Sequence, residues 1–278
     1  GYATRDWRHV PGPGWEEWAA NGHPGEIQLG GLTIRGLTTE QAAGFFTYQY
    51  LLRAEPEPEH DFGLTSIVVV TWNQLDYTRQ CLASLKHRTD EPYELIVVDN
   101  GSTDGTVAYL ESLSEVTLIR NAENRGFPAA VNQGLRVAKG RQIVLLNNDT
   151  LLTTGWLRRM LEATRSDPRI GLVGPVSNCV SGPQQVPVGY RDLSGLDGFA
   201  WEWGRRQREI VDLERLVGFC LLVTRECLDR VGLFDERFGL GNFEDDDYCR
   251  RSREAGFRNV VARASVVHHF GHRRFVAS

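Results

Sequence analysis

From Ser66 onward, short runs of branched apolar residues alternate with segments of helical period, and few folds can accommodate that alternation. "SIVVV" (66–70), "ELIVV" (94–98), "VTLIR" (116–120) and "QIVLL" (142–146) are each of strand length. Between them, "DYTRQCLASLK" places Tyr77, Cys81, Leu82 and Leu85 on one helical face, "STDGTVAYLESL" reads as a helix with a Ser/Thr cap, and "PAAVNQGLRVAKG" as a helix closed by Gly140. Strands and helices alternating at these lengths predict βαβ units around a mostly parallel sheet flanked by helices, an α/β fold. Right-handed crossovers then bring the carboxyl ends of the strands to one edge, where ligands bind in open sheets.

Those four ends read "TWN" (71–73), "DNGSTDG" (99–105), "NAENRG" (121–126) and "NND" (147–149), all polar and rich in Asn or Asp. One or two such ends are ordinary loop chemistry, whereas four converging on one edge favour a ligand site. Beyond them, "TGWLRRMLEATRSD" carries Trp156, Leu157, Met160, Leu161 and Thr164 at helical spacing, a core face rather than a cofactor box. "IGLVGP" and "GFCLLVT" are strand candidates separated by a long loop, 175–217, of a kind that is usually functional or mobile.

The first sixty residues have another texture. "VPGPGW" and "NGHPGE" are turn-rich, "LTTEQAAGFFTYQYLLR" (37–53) reads as a helix capped by Thr38 or Thr39, and "AEPEPEH" (54–60) as an acidic connector. Residues 1–60 are therefore expected to be an extension without assigned chemistry. Residues 61–278 are expected to form one domain, a nucleotide-binding half over about 64–150 and an acceptor half over about 151–278. With 31 basic against 36 acidic residues and no basic run, nucleic acid is not an expected partner. The apolar runs are too short to span a bilayer and no leader pattern opens the chain. Five cysteines without CxxC spacing read as free thiols in a reducing compartment. The expected location is the cytoplasm, with peripheral association at the inner face of the membrane left open.

Chemistry is concentrated in Asp99, in Asp149, in "NFEDDDYCRR" (242–251) and in "VVHHFGH" (266–272). Singly, each has an ordinary explanation: a turn former, a helix cap, an acidic first turn facing the helix dipole, a satisfied histidine. One reaction uses them all. Transfer of a sugar from a nucleotide diphosphate needs a divalent cation at the departing diphosphate, held by one or two protein ligands, and a carboxylate to take the proton of the attacking hydroxyl.

The strings "IVVVTWNQLDYTRQCLASL", "ELIVVDNGSTDGT", "NRGFPAAVNQG", "VLLNNDTLLTTGWL", "GFCLLVTRECLDRVGLFDERF", "EDDDYCRRSREAGF" and "VVHH" together resemble the family 2 glycosyltransferases, in order, from about Ser66 to His272. The resemblance implies a GT-A fold and an inverting, metal-dependent transfer. It implies that Thr71 and Asn73 line the nucleotide pocket with Asn147 and Asn148, that Asp99 contacts the base or ribose, and that Arg125 lies near the phosphates. "NND" stands where the family has its DXD motif, so Asp149 is the implied ligand of Mn2+ or Mg2+, and Asn147 replaces an acid. His268 is the implied second ligand, with His269 as the fallback. Asp245 is the implied general base, Glu244 an acceptor or structural contact, and Asp247 a residue that orients a neighbour. The implied donor is a UDP- or dTDP-sugar. The acceptor is left open among a glycan, a lipid-linked saccharide, a protein and a small molecule.

Two other classes compete. A nucleotidyltransferase shares the sheet and the metal but needs a Gly-rich, basic phosphate loop after the first strand, and "TWNQLDY" is not one. A non-catalytic carbohydrate- or nucleotide-binding module would keep the pocket without needing the "ED" pair.

Overall fold

The computed structural model describes residues 2–11, 26–29, 32–35, 47–56 and 61–271. The chain divides into two compact units, Gly1–Asp61 and Phe62–Ser278. In the first, β1 (Tyr2–Pro11), β2 (Glu26–Leu29), β3 (Leu32–Arg35) and β4 (Thr47–Pro56) form two antiparallel pairs, β1 with β4 and β2 with β3. The helix expected over 37–53 is therefore a strand from Thr47 onward, and the strand runs on into the expected connector. "TYQYLLR" is rich in aromatic residues that suit a strand, and a partner far away in sequence decides the matter by supplying the ladder. The expected caps at Thr38 and Thr39 lie outside the described residues.

The second unit begins with β5 (Thr65–Thr71), followed by α1 (Leu75–Arg88), β6 (Tyr93–Asp99), α2 (Thr106–Glu111), β7 (Val116–Arg120), α3 (Phe127–Val137) and β8 (Gln142–Asn147). Then come β9 (Thr150–Leu152), α4 (Trp156–Ser166), β10 (Ile170–Val176), α5 (Leu196–Arg206), β11 (Ile210–Asp212), β12 (Cys220–Thr224), α6 (Arg225–Val231), α7 (Glu244–Glu254) and β13 (Arg258–His269). The expected loop 175–217 thus contains a helix and a strand; α5 is held partly by Trp203, whose indole N–H donates to the Arg263 carbonyl at 2.8 Å.

The central sheet runs β11–β13–β10–β12–β8–β5–β6–β7, with β9 pairing to β13. β5 is parallel to β6 and β8, and β6 to β7, while β12 is antiparallel to its neighbours β8 and β10. Every residue of β5 is buried, as expected for a strand covered on both faces. Ile67 and Val69 face α1 and α4 through Cys81, Leu85, Trp156 and Met160. Val68 and Val70 face α3 and α7 through Val131, Leu135, Tyr248 and Cys249. The strand period of two thus assigns alternate residues to two separate cores.

Because β6 and β7 lie to one side of β5 and β8 to the other, the order of the sheet reverses between β5 and β8. Ligands bind outside the strand ends at such a point, and Thr71 and Asn147 are the residues that close β5 and β8 there.

Candidate active site

The polar strand ends are tied to one another before any ligand arrives. Asn73, left-handed at φ 56°, accepts the Thr103 N–H on Oδ1 at 2.7 Å, and its own N–H donates to the Ser102 hydroxyl at 2.7 Å. Its side chain therefore clamps the loop after β6 to the loop after β5. The Ser/Thr cap expected for α2 is absent: Gly105 occupies the cap position, and the Asp104 carboxylate accepts from Thr106 N at 3.1 Å and from Leu75 N at 3.0 Å. Asn100, which received no role from the sequence, is a hub: Nδ2 donates to Asn124 Oδ1 at 2.7 Å, and Oδ1 accepts from Arg125 N and Asn121 Nδ2, both at 3.0 Å. Arg125 itself stands exposed on the loop this network holds.

Asp99 is buried, and one carboxylate oxygen, Oδ2, accepts from Gly101 N at 3.2 Å and Ser102 N at 3.1 Å. Its other oxygen, Oδ1, is buried with no hydrogen-bond partner among the described residues. Such an acceptor is costly unless something arrives to donate to it.

At the end of β8 the three residues of "NND" diverge. Asn147 continues the sheet, its N–H donating to Phe219 O at 2.9 Å. Asn148 turns inward, its amide donating to Thr71 Oγ1 at 3.3 Å and Thr78 Oγ1 at 3.0 Å. The hydroxyls of Thr71 and Thr78, 3.0 Å apart, complete this buried knot. Thr71 and Asn148, expected to line the pocket, thus spend these groups on bracing its floor.

Asp149 meets His269, not His268: Oδ1 lies 3.2 Å from His269 Nε2. His268, one residue away on a strand, points to the opposite face, where it is buried with Nδ1 2.6 Å from the Tyr190 hydroxyl. Burial, and then the charge of His269, lower the pKa of His268, while burial pushes Tyr190 up to about 12. Burial alone would lower His269, but the hydrogen bond and charge of Asp149 and the Cys179 carbonyl outweigh it and raise its pKa. That carbonyl lies 2.8 Å from His269 Nδ1, so Nδ1–H donates to it and the Nε2 side faces Asp149. A ring pinned this way offers Nε2 as a ligand nitrogen of fixed orientation. Among the described residues no cluster of three or more His, Cys, Asp or Glu forms a closed metal cage.

Asp245 lies in the first turn of α7, where the helix dipole favours a carboxylate. Its oxygens accept from Gly218 N at 2.8 Å and Asp246 N at 2.9 Å. A Cβ on Gly218 would sit 3.3 Å from that of Asp245, so a side chain there would press Asp245 aside by a few tenths of an ångström. Glu244 is also buried, and burial, followed by the charges of Asp245 and Asp246, raises its pKa. Asp247 turns away to Arg251 at 2.7 Å and Arg250 at 3.1 Å.

The dipeptide Gly218–Phe219 joins these centres. Gly218 holds Asp245, the Phe219 carbonyl receives Asn147, and the Phe219 ring stacks on His269 with centroids 5.1 Å apart. The base candidate and the Asp149–His269 pair are thus mounted on two adjacent residues. In the sequence, "GFCLLVT" reads only as a strand.

The fold and this strand-end site define an α/β protein with a polar site at the switch point of its sheet. Residues 66–223 match the model of glycosyl transferase family 2, and the chain belongs to that family. It is 30% identical over 234 residues to the N-acetylglucosaminyl-diphospho-decaprenol L-rhamnosyltransferase of Mycobacterium tuberculosis, covering 74% of this chain and 76% of that protein. Hyaluronan synthase from Pasteurella multocida is 32% identical over 127 residues, 43% of this chain and 13% of that one. Among solved structures, GalNAc-T7 with UDP, GalNAc and Mn2+ superposes with a TM-score of 0.60 at 17% identity, covering 78% of this chain and 46% of that one. The Pyrobaculum calidifontis mannosyltransferase PcManGT with GDP-Man and Mn2+ gives 0.58 at 24% identity, covering 80% and 60%. The chain therefore spans about half the length of those two structures, and it shares their GT-A fold. It is a glycosyltransferase. No helix among the described residues is long and apolar enough to cross a membrane.

Proposed function

We propose that this chain moves a sugar, with inversion, from a nucleoside diphosphate to a hydroxyl of a saccharide acceptor. The observation that carries the reading is the mounting of Asp245 and the Asp149–His269 pair on Gly218–Phe219. Asp149 Oδ1 and His269 Nε2 fit a hard cation that shares its remaining positions with diphosphate oxygens and water. Bound there, Mn2+ or Mg2+ would neutralise charge on the departing diphosphate.

The remaining work falls to the chain's own groups. Asp99 Oδ1 lacks a donor, and the imide N–H of a uracil or thymine supplies one, which supports a UDP or dTDP donor. Arg125, exposed on the loop braced by Asn100, offers its charge to the phosphates. Asp245 takes the proton of the acceptor hydroxyl as its oxygen bonds to the anomeric carbon. The bond from that carbon to the phosphate oxygen breaks, and its electron pair leaves with the nucleoside diphosphate. The N–H of Gly218 keeps the carboxylate aimed while it does so.

The Mycobacterium relative, named for an N-acetylglucosaminyl-diphospho-decaprenol acceptor, supports a lipid-linked saccharide as acceptor and a deoxyhexose as the transferred sugar. That acceptor would put the reaction at the cytoplasmic face of a membrane, with residues 1–60 as an extension to the catalytic domain 61–278. The test is a thermal-shift and product screen of UDP-, dTDP- and GDP-sugars with Mn2+. Stabilisation by a UDP or dTDP donor, followed by nucleoside diphosphate release, is the expected result. Release of inorganic pyrophosphate from a nucleoside triphosphate would overturn it.

A further inference from the structure

The most exposed large apolar side chains among the described residues are Phe243, at 66%, and Leu240, at 61%, and both lie in the loop leading into α7. Phe243 is also one of only four non-glycine residues with positive φ among the described residues, at 69°, directly after Asn242 at 93° and Gly241 at 120°. A bulky residue in this region is strained, and such strain collects at binding and catalytic sites. Fraying does not explain it. Phe243 O accepts the Asp247 N–H at 3.0 Å, Gly241 N donates to Phe238 O at 3.2 Å, and Phe127 N donates to Leu240 O at 3.4 Å. The ring is held out in water, in an unfavourable backbone conformation, one residue before Glu244 and two before Asp245.

Glu244 is the second, independent observation. It is 9% exposed, its Oε2 has no hydrogen-bond partner among the described residues, and its carboxylate oxygens lie 3.7 and 3.8 Å from where a Cβ on Gly241 would sit. Backbone N–H groups of Asn242 and Glu244 hold the carboxylate against the loop that carries Phe243, and Oε2 is the oxygen left without a donor.

We propose that Phe243 and Glu244 form the acceptor subsite: the ring packs on the apolar C–H face of a pyranose while the Glu244 carboxylate accepts one of its hydroxyls, presenting a second hydroxyl to Asp245. This rests on the reading of Asp245 as the base. An exposed aromatic ring beside a carboxylate oxygen that lacks a donor matches a sugar, which has an apolar face and a hydroxylated rim. A lipid tail needs continuous apolar surface, and Gly239, Gly241 and Asn242 interrupt it here.

Saturation-transfer NMR with methyl glycosides of N-acetylglucosamine, glucose, galactose and rhamnose, in the presence of UDP and Mn2+, tests this on the full chain. Wild-type protein is expected to transfer saturation to ring C–H protons of at least one glycoside. Phe243→Ala should weaken that glycoside about tenfold, and Phe243→Tyr should keep it within about twofold, the scale of one aromatic contact. Phe243→Gly should weaken it as Ala does while raising thermal stability, because glycine relieves the positive φ. No saturation transfer in wild type, unchanged affinity in Phe243→Ala, or a destabilised Phe243→Gly each overturn the proposal. Asp245→Asn separates the two readings: it should keep glycoside binding, so its transfer rate reports on the base alone.

Discussion

Gly126 bears on whether the donor side and the base side of the site form one rigid assembly. Its φ is 85° and its ψ 159°, in territory that is essentially restricted to glycine. A Cβ there would lie 1.9 Å from the Gly239 carbonyl oxygen and 2.7 Å from its carbon, both backbone atoms that cannot swing aside like a side chain. Gly126→Ala therefore meets two costs. The backbone strain is of order 1–3 kcal/mol, and forcing the loops apart costs about 1–3 kcal/mol more. The lost freedom of the unfolded chain returns about 0.4–1 kcal/mol, leaving a net destabilisation of roughly 1–5 kcal/mol against a typical total of about 5–15. With a urea slope of about 2–3 kcal/mol per molar for a domain this large, the unfolding midpoint should fall by roughly 0.3–2.5 M. Because the displaced segment leads into Asp245, transfer should fall in the protein that remains folded. Urea titration by near-ultraviolet circular dichroism, with nucleoside diphosphate release measured below the transition, reads both. A midpoint within about 0.2 M of wild type, together with unchanged turnover, would refute the wedged contact between the two loops.

Further outcomes are expected from the metal pair and the thiols. Asp149→Asn and His269→Ala should each weaken Mn2+-dependent donor binding about 10–100-fold by calorimetry, whereas His268→Gln, on the opposite face, should leave it within a fewfold; equal losses at both histidines would contradict the geometry. The pKa of His269 is raised in the metal-free fold. Its protonated form therefore stabilises the fold fully below the unfolded value of about 6.5, and this contribution is lost as pH rises through the folded value. Thermal stability without metal should accordingly decline through that window, and His269→Gln should flatten the slope. Metal affinity should move oppositely, rising with pH as the competing proton leaves. Of the five cysteines only Cys179 is exposed. A thiol reagent should label one site quickly and the other four only on unfolding; burial holds Cys81 and Cys227 up to about 11 and Cys249 up to about 12.

What the sequence made legible is what local pattern encodes. "SIVVV" announces a strand buried on both faces because every residue is apolar or small, and β5 is such a strand. The Asn- and Asp-rich ends announce the binding edge because polar loops at converging strand ends have few other uses. Residues whose roles depend on partners distant in sequence were opaque. Whether His268 or His269 meets Asp149 turns on which face of β13 each occupies, and that is set by pairing His269 with Thr150 and His268 with Leu151. Asn148 turns inward because Thr71 and Thr78 wait there, and their proximity follows from the packing of α1 on β5. Gly218 carries no motif; its N–H matters only because α7 brings Asp245 to it. The strand at Thr47–Pro56 depends on Tyr2–Pro11, more than thirty-five residues upstream.

The central claim is that Asp245 is the base of a glycosyl transfer whose donor is held by the strand-end site. The most direct test is the rate of nucleoside diphosphate release for wild type and Asp245→Asn, with the best UDP- or dTDP-sugar, Mn2+ and a saccharide acceptor, beside the donor dissociation constant of each. Transfer should fall about 100- to 10,000-fold in Asp245→Asn, the range for removing a general base, while donor affinity stays within about twofold. Transfer within about threefold of wild type would contradict the account.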